Sequence, residues 1–150
     1  MLKNVLIFVF ILSAMLFAQE QSYIEVLKSD INTQRRALIT SAMEFNAEEE
    51  EKFWPIYKEY EVEYDKLMDK EIQLIKEYAE SYENMGDEVA QQLAKKSFEI
   101  EREQLTLSEK YFMKFSKELP VKRAVKLLQV LNRIELMINL QKVSNIPVLE

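Results

Sequence analysis

The chain has 150 residues, 48% hydrophobic and 31% charged, with a net charge of −6, which fits one small domain with a targeting segment attached. It contains no His, no Cys and a single Gly, so imidazole and thiolate metal sites, Ser-His or Cys-His catalysis, disulfides and Gly-rich phosphate loops are excluded. Most enzyme chemistry goes with them; helix formers abound while turn residues are scarce, so the chain reads as an all-α binding protein with no cofactor.

Lys3 precedes an uncharged run of 14 residues, Val5 to Ala18, shorter than the about 20 that a membrane span needs. A basic start, an apolar stretch and Ala18 before Gln19 read as a secretory signal peptide over 1–18, with Ala14 an alternative cut and an uncleaved anchor or buried helix the competing readings. With no Cys, lipid attachment to cysteine is impossible. Cleavage leaves a single domain, 19–150, whose charge becomes −7 with the loss of Lys3, which argues against a nucleic-acid partner.

Ile24, Leu27, Ile31, Leu38, Ala42 and Phe45 recur at helical intervals and predict a first helix over roughly 20–44. Phe45-Asn46 interrupts it. Asn46 with Glu49 three residues on is a capping box that starts a second helix, roughly 47–83, and Glu48 to Glu51 favour the positive end of its dipole. Phe53, Tyr57, Tyr60, Tyr64, Leu67, Leu74 and Tyr78 make one row of this helix, with Trp54, Met68, Ile75 and Tyr82 beside it. Pro55, inside it, predicts a bend near 51–55. Gly86 is expected to end this helix region and Asp87 to cap a third helix. There, Val89, Leu93, Ile100, Leu107 and Tyr111 form one row, and Phe98, Leu105, Phe112 and Leu119 a second. Pro120 is expected at the first position of a fourth helix, 121–143, which is apolar over more than half its circumference and so either central or shared with a second copy. Pro147 keeps the tail Ile146-Pro147-Val148-Leu149 out of a helix; it is expected to pack back as an extended segment.

The Phe45-Asn46-Ala47-Glu48-Glu49 and Leu119-Pro120-Val121-Lys122-Arg123 segments each resemble a degenerate L-T-x-x-Q motif, with Asn46 and Pro120 for the threonine and Glu49 and Arg123 for the glutamine. Two such motifs in a short exported helical chain mark the Spy/CpxP-like periplasmic proteins. Similarity to a poorly characterised subgroup placed beside that family extends through Arg35-Arg36-Ala37-Leu38-Ile39 and Met43, the Phe53-Trp54-Pro55-Ile56-Tyr57 block with Tyr60, then Gln129, Asn132 and Ile134, and last Ile146-Pro147. The resemblance implies a periplasmic four-helix antiparallel hairpin-type bundle with long second and third helices, coiled-coil-like and homodimeric. It implies a chaperone or stress-response role without enzyme activity.

Charge is uneven along the chain. Residues 19–109 hold 11 basic and 23 acidic groups, against 8 and 3 in 110–150. Lys110, Lys114 and Lys117 share one face of the third helix, and Lys122, Lys126 and Arg133 one face of the fourth. These stripes either offset the acidic second helix across the bundle or form a basic, partly apolar patch for an acidic client segment or an anionic surface. Tyr57, Tyr60 and Tyr64 are core residues first and client-contacting rings second. Trp54 beside Pro55 reads as a packing corner. Glu48 to Glu51 point around about 300° and cannot converge on one ion, and the methionines Met43, Met68, Met85, Met113 and Met137 are spread too widely for a copper site. The expected function is that of an exported ATP-independent holdase for unfolded or envelope proteins, without metal or nucleotide. The alternatives are an adaptor that docks on a membrane sensor, and a structural helical oligomer.

Overall fold

In a computed structural model, the backbone of residues 2–143 and 146–149 and the side chains of 23–140, 142 and 146–149 are described. Among these residues the chain forms four α-helices and no strand: α1 (Leu2–Met43), α2 (Ala47–Ser81), α3 (Asp87–Glu118) and α4 (Val121–Val143), with a 3₁₀ turn at Tyr82–Asn84. No helix among the described residues is long and apolar enough to cross a membrane. Two compact units divide the chain, 1–37 and 38–150.

In the first unit the helix begins at Leu2 instead of near residue 20. The Val5–Ala18 run holds no Gly or Pro to stop it, and its Leu, Ala and Met favour a helix. The side chains of the signal-peptide segment, and Met1 altogether, lie outside the described residues. Leu27, placed on the apolar row by its spacing, is exposed.

The second unit opens with the end of α1, where Ile39 and Met43 are fully buried while Leu38 is exposed. Glu44 leaves the helix at φ 47°, the left-handed conformation that closes many helices but that costs a residue with a side chain about 1–2 kcal/mol. Asn46 then caps α2 as its sequence dictates: the Glu49 amide donates to Asn46 Oδ1 at 2.9 Å and the Asn46 amide to Glu49 Oε2 at 3.2 Å. Pro55 lies inside α2, which stays helical on both sides of it. At the other break the capping expectation moves by one residue. Gly86, not Asp87, is the N-cap of α3, with φ −82° and no side-chain cap. Its conformation is open to any residue, and an added Cβ would meet nothing within 4 Å. Pro120 likewise precedes α4 instead of opening it, its carbonyl accepting from the amides of Arg123 at 2.7 Å and Ala124 at 3.1 Å.

Helices α2 and α3 pack along their lengths through an aromatic column. Phe53, Tyr57, Tyr60 and Tyr64 follow one another at centroid distances of 5.3, 5.6 and 5.8 Å. From α3, Phe115 stacks on Phe53 at 5.3 Å and Tyr111 meets Tyr60 edge-on at 5.3 Å. Flanking ion pairs run in opposite chain directions: Glu59 with Lys114, Glu63 with Lys110, Lys70 with Glu103, and Glu77 with Lys96. Leu93, Ile100 and Leu107 complete the buried row of α3, but Val89 at its start is exposed. The second row divides. Leu119 is buried and Phe112 is part-buried, whereas Phe98 and Leu105 are 56% and 62% exposed. In α4, Ala124, Leu127, Val130 and Ile134 are buried, and the Tyr64 hydroxyl and Glu71 reach it through Glu135 at 2.9 Å and Lys142 at 2.8 Å.

The helix ends give the first test. Glu44→Gly relieves the left-handed strain and raises stability by roughly 0.5–1 kcal/mol, while Asn46→Ala removes the cap and lowers it by about 1 kcal/mol. Urea unfolding midpoints of the two variants measure both, and equal midpoints would remove the structural meaning given to this junction.

Candidate functional site

The two motif-like segments, 74 residues apart at Glu49 and Arg123, meet in space. Arg123 Nε donates to Glu49 Oε1 and its Nη2 to Glu49 Oε2, both at 2.8 Å, the two-pronged geometry that a guanidinium makes best. The same Nη2 donates to the Met43 carbonyl at 2.8 Å, and the guanidinium lies 5.4 Å from the centre of the Phe45 ring. Arg123 therefore ties the first residues of α4 to the orphan carbonyls at the end of α1 and to the cap of α2. Leu119, buried, and Pro120, exposed, frame it from the α3–α4 turn. Phe45 packs on Phe53 at 4.5 Å, and Trp54 sits edge-on to Phe53 at 4.8 Å, so the whole motif region is one structural joint. The Arg123 hydrogen bonds are the main cause that holds the Glu49 carboxyl below its ordinary 4.5; partial burial opposes them and the Asn46 amide assists.

The tyrosines expected as candidate contacts lie inside. Tyr57, Tyr60 and Tyr64 are all buried, so their rings form the core and offer no open face. Lys110 and Lys114 are spent on α2: each holds a glutamate at 2.6 Å, Glu63 and Glu59 respectively, and both ammonium groups stand over the Tyr111 ring. Burial first, and Glu63 second, push the Tyr111 phenol upward, and its hydroxyl donates to Glu63 at 2.9 Å. A hollow of about 850 Å³ along this seam is lined by side chains of both signs, the Glu63–Lys110 and Lys70–Glu103 pairs with Lys66, Glu99 and Arg102, so it presents no concentrated charge of one sign to a ligand.

Lys117, Lys122, Lys126 and Arg133 are different. All four are exposed and make no ion pair among the described residues. On α4, Lys122, Lys126 and Arg133 border a stripe whose spacing, Val121, Val125, Gln129, Asn132, Leu136 and Leu140, places it on one helix face. Val121, Leu136 and Leu140 are 61%, 59% and 59% exposed. Spacing alone puts these apolar residues on the broad apolar surface expected of this helix. Nothing in a helix apolar on most sides tells which residues are left outside.

Among the described residues, no group of three or more acidic side chains is arranged to hold a metal ion. No protein-family model matches the chain, and no curated protein or solved structure matches it either.

The Glu49–Arg123 joint has a measurable sign. A carboxylate whose folded value is depressed stabilises the fold above its unfolded value, here 4.5, and loses that contribution as pH falls through the lower folded value. Arg123→Ala is expected to cost about 2 kcal/mol at pH 7, between an exposed pair and a fully buried one, and to flatten the loss of stability below pH 4.5. Urea unfolding at neutral pH and near pH 3.5 checks this; an unchanged acid slope would mean that Glu49 carries none of it.

Proposed function

We propose that this chain is an exported, ATP-independent holdase of the Spy/CpxP-like type, which binds unfolded polypeptides through the outward face of α4. The observation that carries the reading is the exposed stripe of Val121, Val125, Leu136 and Leu140 bordered by Lys122, Lys126 and Arg133. Apolar side chains left open on a helix mark a contact surface. Covering these four contributes roughly 1 kcal/mol each, a gain that the cost of association largely offsets, so contact through this face alone is weak. Contact that weak lets a client dissociate and refold. The basic row speeds encounter with acidic stretches, and the net charge of −7 left after loss of Lys3 keeps a loaded complex soluble.

The architecture proposed with this function is a four-helix antiparallel hairpin-type bundle that acts as a homodimer in the periplasm after removal of residues 1–18. The opposed order of the α2–α3 ion pairs supports the hairpin arrangement. The exposed row Phe98 and Leu105 on α3 is the surface that a second copy would cover. The 14-residue uncharged run after Lys3 supports export.

Purified residues 19–150 at a stoichiometric ratio should slow aggregation of a chemically unfolded client without ATP, with the effect reduced severalfold in Leu136→Ser/Leu140→Ser. Light scattering reads both. Failure of the unsubstituted protein to slow aggregation would overturn the proposal, and a single saturating crosslink in the native envelope would move the same face to the sensor-adaptor role.

A further inference from the structure

A second opening lies away from the α4 face, where the later turns of α2 meet the first turns of α3. It is a cleft of about 330 Å³ whose walls include Leu74, Ile75, Met85 and Leu93, inside the range of roughly 300–1,000 Å³ that holds small ligands and side chains. The Ile146–Leu149 segment is seated on it. Ile146, half-buried, and Leu149, 46% exposed, line the cleft, and Pro147 and Val148 between them are exposed. The main chain of Pro147 and Val148 is gripped from the end of α2 and the 3₁₀ turn after it: the Tyr78 hydroxyl donates to the Pro147 carbonyl at 2.7 Å and the Tyr82 hydroxyl to the Val148 carbonyl at 3.1 Å.

This is a way of holding a polypeptide with little regard to its sequence. Two hydroxyl donors one helical turn apart meet successive carbonyls of a non-helical chain, which every peptide possesses, and the apolar cleft asks only for an apolar side chain on each side of the gripped pair. Pro147 suits the occupant because it lacks an amide and resists helix formation. The polar contacts are two neutral hydrogen bonds, and neither end of the segment is buried, so the occupant is held weakly. Much of the volume stays open beside it.

We infer that this cleft is a binding site for non-helical apolar segments of other polypeptides, and that the chain's own Ile146–Leu149 segment is a resident competitor for it. The site takes a peptide with two apolar residues three positions apart and accessible carbonyls between them. It does not depend on the α4 face, and it stands or falls whether or not the chain is a holdase.

The test uses the full chain and the double variant Ile146→Asp/Leu149→Asp, whose charged side chains cannot stay in the apolar cleft and so vacate it. The probe is a fluorescent peptide with the sequence of residues 144–150, SNIPVLE, titrated by anisotropy. A tethered competitor acts at an effective concentration of about millimolar, so the double variant is expected to bind the peptide at least tenfold more tightly than the unsubstituted chain. Adding Tyr78→Phe and Tyr82→Phe to the variant should weaken binding fivefold or more, since each removes a hydroxyl donor and leaves the ring. Equal affinity for the unsubstituted chain and the variant overturns the inference, as does equal binding of a control peptide with aspartate in place of its Ile and Leu. If the double variant loses its helical circular dichroism, Leu149→Asp alone replaces it under the same criteria. The α4 variant Leu136→Ser/Leu140→Ser should bind the peptide unchanged, which separates failure of this site from failure of the holdase reading.

Discussion

Phe53 is the residue on which the rest of the second unit depends. It is fully buried and touches Phe45 in the α1–α2 turn, Trp54 and Tyr57 on its own helix, and Phe115 on α3. A chain with no cysteine has no disulfide to fix its helices, so their relative position must come from side-chain packing. Aromatic rings supply that better than aliphatic ones, because each stacked or edge-on pair contributes about 0.5–1.5 kcal/mol beyond area burial and prefers particular angles. Tyr57, Tyr60 and Tyr64 extend the contact along α2, and Tyr111 answers from α3. Phe45 carries it in the other direction, to the Arg123 guanidinium and so to α4.

With the axial position of α2 against α3 set by these rings, the charges beside them have little freedom. Glu59, Glu63 and Glu77 of α2 and Glu103 of α3 meet lysines on the opposite helix. Such half-exposed pairs contribute roughly 0–1 kcal/mol each, so they do not by themselves hold the two helices together. What they do is discriminate: sliding one helix by seven residues, two turns, would set Lys70 against Lys110 and Glu77 against Glu103. The pairs also absorb part of the basic excess of the later half of the chain. After Lys110 and Lys114 are matched, Lys117, Lys122, Lys126 and Arg133 make no ion pair among the described residues, and the three on α4 stand beside exposed valine and leucine.

The helices themselves were legible in the sequence, because a period of 3.6 and the Asn46–Glu49 box are local signals. The breaks at 44–46 and near Gly86 and the start at Val121 follow from them. Periodicity, however, states that residues share a face and not what the face meets. Phe98 and Leu105 sit on the same seven-residue row as Phe112 and Leu119, yet only the end of the row near α4 is covered. The same limit applies to the tyrosines and lysines: whether Tyr57 is open or Lys114 free depends on a partner some fifty residues away. The complementarity of Glu49 and Arg123 was equally hidden. Each departs from a glutamine of the motif it resembles, and only their 2.8 Å contact makes the two departures one change.

The two open surfaces differ in the physics by which they could select a polypeptide. The α4 face joins apolar side chains to unpaired cations, so its attraction reaches beyond contact and is screened over a Debye length of about 8 Å at physiological salt. The cleft beneath Ile146–Leu149 is lined almost wholly by apolar groups and grips carbonyls with neutral hydroxyls; its attraction begins at contact and does not weaken with salt. On the proposed readings, one surface would favour acidic, still unfolded stretches and the other non-helical apolar ones of either charge. A weak encounter on the first would not be duplicated by the second but continued by it, on the part of the same polypeptide that charge cannot recognise.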